Sequence, residues 1–245
     1  MVETEVIGYS IEAFRKNAKL VLFFSVPFLL AFAIPLLSPM PTYISLGATF
    51  LRTGSMFVDL TYFDVGLIFV SSLASIFLIS FATVSINLVI KSQRTMTNIS
   101  TEVMEGIEKY TMTIFLLYTL SLVLSLVVLL VSYEYQAEGL TTPLFSFLVS
   151  LVLFYVPAAI VIDELRLTEA MRMSLYMIRN KFVLFLLWLI LGFLILTVLD
   201  IFFVFLASYV TWSRYVMLVL NSLIVMPFLV ILQTQMYLTK YTILK

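Results

Sequence analysis

The sequence predicts an all-α fold, a polytopic membrane bundle of six transmembrane helices. Three observations predict it: 62% of the 245 residues are hydrophobic, only 11% are charged, and the apolar residues fall into six long runs. Soluble domains average about 45–50% apolar and about 25% charged. A soluble fold of this composition would expose large apolar patches. The runs are Leu20–Leu37, Val65–Ile90, Met112–Val131, Leu144–Ile162, Phe182–Ala207 and Val216–Leu238. A spanning helix needs roughly 20 residues. The first run is the shortest and holds Pro27 and Pro35 but no charge. Proline is tolerated where neighbours satisfy the freed backbone groups.

The basic residues orient the spans. Twelve of the fourteen Lys and Arg residues fall on one side, and only Arg52 and Arg214 fall on the other. By the positive-inside rule, both termini are expected in the cytoplasm and the protein in the cell membrane. Glu3 and Glu5 stand where a secretory signal would carry positive charge, so the N-terminus reads as mature sequence.

A short amphipathic segment leads each pair of spans. Ile7, Ile11, Phe14 and Ala18 form the first apolar stripe, and Ile99, Val103, Ile107 and Tyr110 the second. Leu167, Met171, Ser174, Leu175 and Ile178 form the third, opposite Glu169, Arg172 and Arg179. The three align at SIEAF (Ser10), STEVM (Ser100) and LTEAM (Leu167), and each ends in a lysine at the mouth of a span: Lys19, Lys109 and Lys181. The closing spans match at VPAAIVID (Val156) and MPFLVILQ (Met226); FATVSINL (Phe81) fits loosely and lacks the proline. The expectation is one transmembrane domain of three pseudo-repeated hairpins, each preceded by a cytoplasmic amphipathic helix. The units run over 1–95, 96–165 and 166–245, all in one orientation. The first hairpin has a long outer loop, Ser38 to Asp64, which reads as an interfacial segment or a lid.

Formal net charge is zero, so no basic field recruits nucleic acid. Cys and His are absent, which removes disulfides, thiolate and imidazole metal sites, and Cys/His or Ser/His dyads. No nucleotide-binding or hydrolase motif occurs. The expectation is a protein that is not an enzyme and carries no metal or cofactor.

Asp200 is the one acid inside a predicted span. It lies about 28 Å along a helix from Lys181, near the outer boundary of the hydrocarbon. Intramembrane acids are candidate proton or cation handles, although a site so near the headgroups also reaches water cheaply. The second span is the most polar, with Ser72, Ser75, Thr83 and Asn87 roughly on one stripe; Asn221 in the last span is similar. Such residues line a water path or bond neighbouring helices. Pro157 and Pro227 are expected to kink their helices. Asp163, Glu164 and Glu169 read as a solvated junction among arginines. Arg172, Arg179 and Lys181 are candidates for pairing with anionic lipid headgroups, or simply for anchoring.

VPAAIVIDELRLTEAMRMSLYMIRNKF, Val156 to Phe182, joins a proline-containing span end, an acidic turn, a short helix and a basic span entry. This resembles a broad, poorly characterised group of six-span prokaryotic membrane proteins. The group includes the membrane domain fused to some glycerophosphodiester phosphodiesterases. The likeness implies a helical membrane module; the fused catalytic domain is not in this sequence, so no phosphodiesterase activity is implied. Abundant Ile, Leu and Tyr without Cys also suit a prokaryotic source.

Two functions remain open on sequence. One is a non-enzymatic module acting on lipids or membrane partners, with the bilayer, anionic lipids, a second copy or another membrane protein as its partners. The other is a small transporter or channel using the second span and Asp200.

Overall fold

The computed structural model describes residues 2–34, 61–95, 99–207, 209–210 and 212–241, and these are helical with no strand. Five helices are long and apolar enough to cross a membrane, or six when a bent pair near the N-terminus counts as one span. This fits a multi-pass membrane protein.

That bent pair is α1 (Val2–Lys16) and α2 (Ala18–Ala33), set at 92° to one another. Asn17 makes the corner. Its Nδ2 donates to Ala13 O at 3.0 Å and to Gln93 Oε1 at 2.9 Å, which satisfies a polar group that the bend buries. Residues 35–60, with almost all of the expected lid and Arg52, lie outside the described residues.

α3 (Tyr62–Thr95) takes in the last three residues of the expected loop. Thr61 and Asp64 cause this by forming a capping box. Thr61 N–H donates to Asp64 Oδ2 at 3.0 Å, and Asp64 N–H donates to Thr61 Oγ1 at 3.2 Å. α4 (Ile99–Glu134) follows as one helix of 36 residues. The expected second amphipathic lead is therefore not a separate helix. Asn17 and Asn180 stand at the other two breaks, whereas the stretch from Tyr110 to Phe115 holds no Asn, Gly or Pro, and the helix carries its β-branched Thr111, Thr113 and Ile114.

After a turn at Tyr135–Ala137 come α5 (Glu138–Leu153) and α6 (Val156–Asp163), which together form one interrupted span. α7 (Leu167–Asn180) is short and amphipathic, as expected. α8 (Phe182–Ala207) covers the same residues as the predicted fifth span. α9 (Ser213–Leu220), a π-helical turn (Asn221–Val225), α10 (Met226–Leu238) and a 3₁₀ turn (Thr239–Tyr241) complete the chain.

Where kinks are expected, the regular helix is interrupted just ahead of each proline, and neighbouring groups take up the polar atoms. Pro157 cannot donate, and its ring crowds the carbonyl one turn earlier. The helix opens at Phe154–Tyr155. Gln233 Nε2 from α10 donates to the Phe154 carbonyl, and Tyr155 N–H donates to Ser174 Oγ on α7 at 3.0 Å. Ahead of Pro227 the helix widens instead: Met226 N–H reaches back five residues to Asn221 O. The extra residue in the turn makes room for the ring.

The core lies at the end of the bundle that carries Lys91, Lys109, Lys181 and Lys240, called here the basic end. Residues 82–90 of α3, 156–161 of α6, and Ile231, Leu232, Met236 and Tyr237 of α10 are buried there. Both described chain ends lie at this end, because α1 packs along α10. No residue of α5 is buried, and Phe193, Val198, Ile201 and Phe205 of α8 all point outward. An apolar rim around a polar-stitched centre suits lipid as solvent.

Candidate functional site

The polar stripe of the second span turns inward to other helices and to its own backbone. Ser72 and Ser85 hydroxyls donate to the carbonyls of Ile68 and Phe81, at 2.9 and 2.8 Å. Ser75 Oγ donates to Ala31 O on α2 at 3.0 Å. Asn87 Nδ2 donates to the Thr83 carbonyl at 2.8 Å, and Asn87 Oδ1 accepts from Thr234 Oγ1 on α10 at 2.7 Å. Thr83, Ser75 and Asn87 are buried. In hydrocarbon each of these groups needs a partner, and a neighbouring helix supplies it.

Asn221 is buried in the π-helical turn, which packs on α2. Asp200 lies elsewhere, half-buried on α8, and its Oδ1 is enclosed without a hydrogen-bond partner among the described residues. α8 packs mainly on α7, α9 and α10, while α3 packs on α2, α4, α6 and α10. Asp200 and the second-span stripe therefore do not converge.

The acidic junction departs from its expectation. Glu169 is exposed and accepts a hydrogen bond from Arg166 N–H at the start of α7. Its two neighbours fasten the bundle. Asp163, with a side chain 9% exposed, pairs with Lys240 and accepts hydrogen bonds from the Tyr237 and Tyr241 hydroxyls. Glu164 pairs with Lys91 of α3 at 3.0 Å and Lys109 of α4 at 2.8 Å. Lys109 and Lys91 together hold the Glu164 carboxyl well below the usual range, at about 2. Glu164 also takes a left-handed backbone, φ 56°, that turns the chain out of α6. Glycine would adopt this turn more easily, so the ion pairs favour a carboxylate where the backbone favours none. The sequence signal was available: four lysines and these two acids sit at similar depth at their span ends.

The three candidate headgroup residues divide. Arg172 and Arg179 are exposed on α7, beside exposed Leu175 and Tyr176, while Ala170, Ser174 and Met177 lock the opposite face to the core. Lys181 instead turns inward, donating to the Thr239 carbonyl at 2.9 Å and to Thr239 Oγ1 at 2.7 Å. Burial pushes the Lys181 ammonium below the usual lysine range.

A cavity of about 590 Å³ opens at the basic end between α1, the last turn of α3 and the end of α10. Glu5, Tyr9, Glu12 and Lys16 line it from α1, and Gln93, Gln235 and Tyr241 from the opposite wall. Val6, Ala13, Ile90 and Leu238 give it an apolar floor. A smaller concavity of about 400 Å³ lies between α3, α4 and α5, with Ser121, Ser125, Thr142 and Ser146 on its walls. Sequence reading found neither, since each draws on segments far apart in the chain.

No family model matches the chain, and no curated protein or solved structure is significantly similar to it.

Proposed function

We propose that the chain is a multi-pass cell-membrane protein with both termini in the cytoplasm, acting as a non-enzymatic module that engages lipid headgroups. The observation that carries this reading is the exposed face of α7, with Arg172, Leu175, Tyr176 and Arg179 together. On a helix lying across the basic end, the aliphatic and aromatic groups sit among acyl chains while the guanidiniums reach phosphates. The bias of basic residues to one side supports the orientation. The absence of Cys and His supports a role without thiolate or imidazole chemistry. The three-hairpin plan belongs to the same proposal. In its favour, the second and third units both close with a helix interrupted just ahead of a proline, Pro157 and Pro227.

Lipid retention tests the reading. The protein is exchanged into nanodiscs of mixed phosphatidylcholine and phosphatidylglycerol, and bound lipid is counted by native mass spectrometry. Each arginine near a surface contributes about 1 kcal/mol toward anionic lipid. The Arg172→Gln, Arg179→Gln variant should therefore retain phosphatidylglycerol about 10- to 30-fold less tightly. Equal retention by the variant and the parent chain would sink it.

A transporter or channel remains the second reading, favoured by one observation: Asp200 Oδ1 is enclosed and has no hydrogen-bond partner among the described residues. Ion flux into liposomes that is abolished by Asp200→Asn would move the assignment to that class.

A further inference from the structure

The cavity under α1 is unlike the rest of the basic end. Among the described residues that line it are two carboxylates, Glu5 and Glu12, and one cation, Lys16. Lys16 is already committed to Glu12 at 2.6 Å. Glu5 has no ion-pair partner among the described residues, so the described lining carries a surplus negative charge. Its other polar groups, from Gln93, Gln235 and the tyrosines, are neutral. An anion would meet repulsion here; a cation would not.

The aromatic residues narrow the choice. Tyr9 stands on the α1 wall and Tyr241 on the C-terminal wall, both with exposed rings. A tyrosine ring attracts an ammonium through its quadrupole and tolerates the attached carbon substituents. The same corner already shows this affinity: Lys240 Nζ lies 4.7 Å from the Tyr241 ring centre and 4.2 Å from that of Tyr237. The apolar floor suits methyl or methylene groups, which a bare metal ion lacks. A volume of about 590 Å³ falls in the usual range for small organic ligands, about 300–1,000 Å³.

We infer that this cavity binds an organic ammonium group, seated against Glu5 between Tyr9 and Tyr241. The group comes either from the headgroup of an aminolipid or from a free amine in solution. α1 lies across α2 at 92°, which sets the cavity beside the last turn of α10, at headgroup level if α2 and α10 span the bilayer. The inference shares no residue with the α7 reading, and either can fail alone.

The test uses the full chain in nanodiscs of phosphatidylglycerol with and without phosphatidylethanolamine, read by native mass spectrometry. Ethanolamine is added to a parallel set. Phosphatidylethanolamine should be retained, with Glu5→Gln and Tyr9→Leu each weakening retention by about three- to tenfold. Both positions are exposed, so neither change threatens folding. Lys16→Gln should strengthen retention, because it removes a cation from the lining and frees Glu12; a general loss of structure would weaken it. Displacement of the lipid by millimolar ethanolamine assigns the site to a soluble amine, and resistance to displacement assigns it to the lipid. Retention unchanged in Glu5→Gln and Tyr9→Leu, or weakened in Lys16→Gln, would overturn the inference.

Discussion

Ser174 Oγ on α7 accepts the Tyr155 backbone N–H at 3.0 Å, across the break that Pro157 opens in the fourth span. Both residues are fully buried. One hydroxyl thus ties the amphipathic helix to the interrupted span. Ser174→Ala leaves the N–H without a partner in a dry site, at a cost of about 1–3 kcal/mol. Thermal unfolding in detergent should show that loss, with Ser150→Ala on the exposed face of α5 as a near-silent control.

Tyr155 itself makes an opposite prediction. Its ring packs against Phe154 at 4.6 Å and Tyr237 at 6.0 Å, but its hydroxyl is buried with no hydrogen-bond partner among the described residues. Tyr155→Phe keeps the packing and removes an unsatisfied group. The variant should match or exceed the parent chain in unfolding temperature, and a clear loss would show that the hydroxyl has a partner.

Glu164 links charge to backbone. Its carboxyl is held at about 2 by Lys109 and Lys91, below the unperturbed 4.5. The ion pairs therefore contribute their full stability above about pH 4.5, and this is lost as the pH falls toward 2. The gap in stability between the parent chain and Glu164→Gln should close across that window. The effect is modest because the side chain is half exposed and solvent screens it. Glu164→Gly loses the same pairs but relaxes the left-handed backbone, so it should be about 1 kcal/mol more stable than Glu164→Ala. Unfolding curves of the three variants check this.

Asn87 and Thr234 are 147 residues apart and share a hydrogen bond of 2.7 Å. A double-mutant cycle with Asn87→Leu and Thr234→Val should give a coupling of about 0.5–1.5 kcal/mol, the size expected between helices in a membrane. A coupling near zero would mean that the contact adds nothing to the packing of α3 on α10.

Much of the architecture was legible because it depends on local pattern. An apolar run as long as Phe182–Ala207 has one efficient solution in lipid, a helix, and the helix covers those residues. The amphipathic period of Leu167–Asn180 was legible too, but the buried face is Ala170, Ser174 and Met177, and Leu175, expected on it, is exposed beside the arginines. Partnerships were not legible. Nothing local tells Asn87 that it will meet Thr234 rather than water, or tells Asp163 that Tyr237, Lys240 and Tyr241 will surround it. The second amphipathic lead misled for a different reason. Its period was real, but periodicity does not report whether a helix stops, and Ile99–Glu134 contains no proline and carries its one glycine, Gly106, inside the helix.

The most direct test of the account is the topology of the chain in a membrane. The sequence has no cysteine, so single cysteines report without background. Tyr135→Cys and Tyr209→Cys lie at the far end of the bundle, and Met104→Cys and Thr168→Cys lie toward the basic end; all four positions are exposed. A membrane-impermeant maleimide added to intact cells should label the first two, and reach the last two only after permeabilisation. Labelling of Met104→Cys or Thr168→Cys in intact cells would contradict the proposed topology.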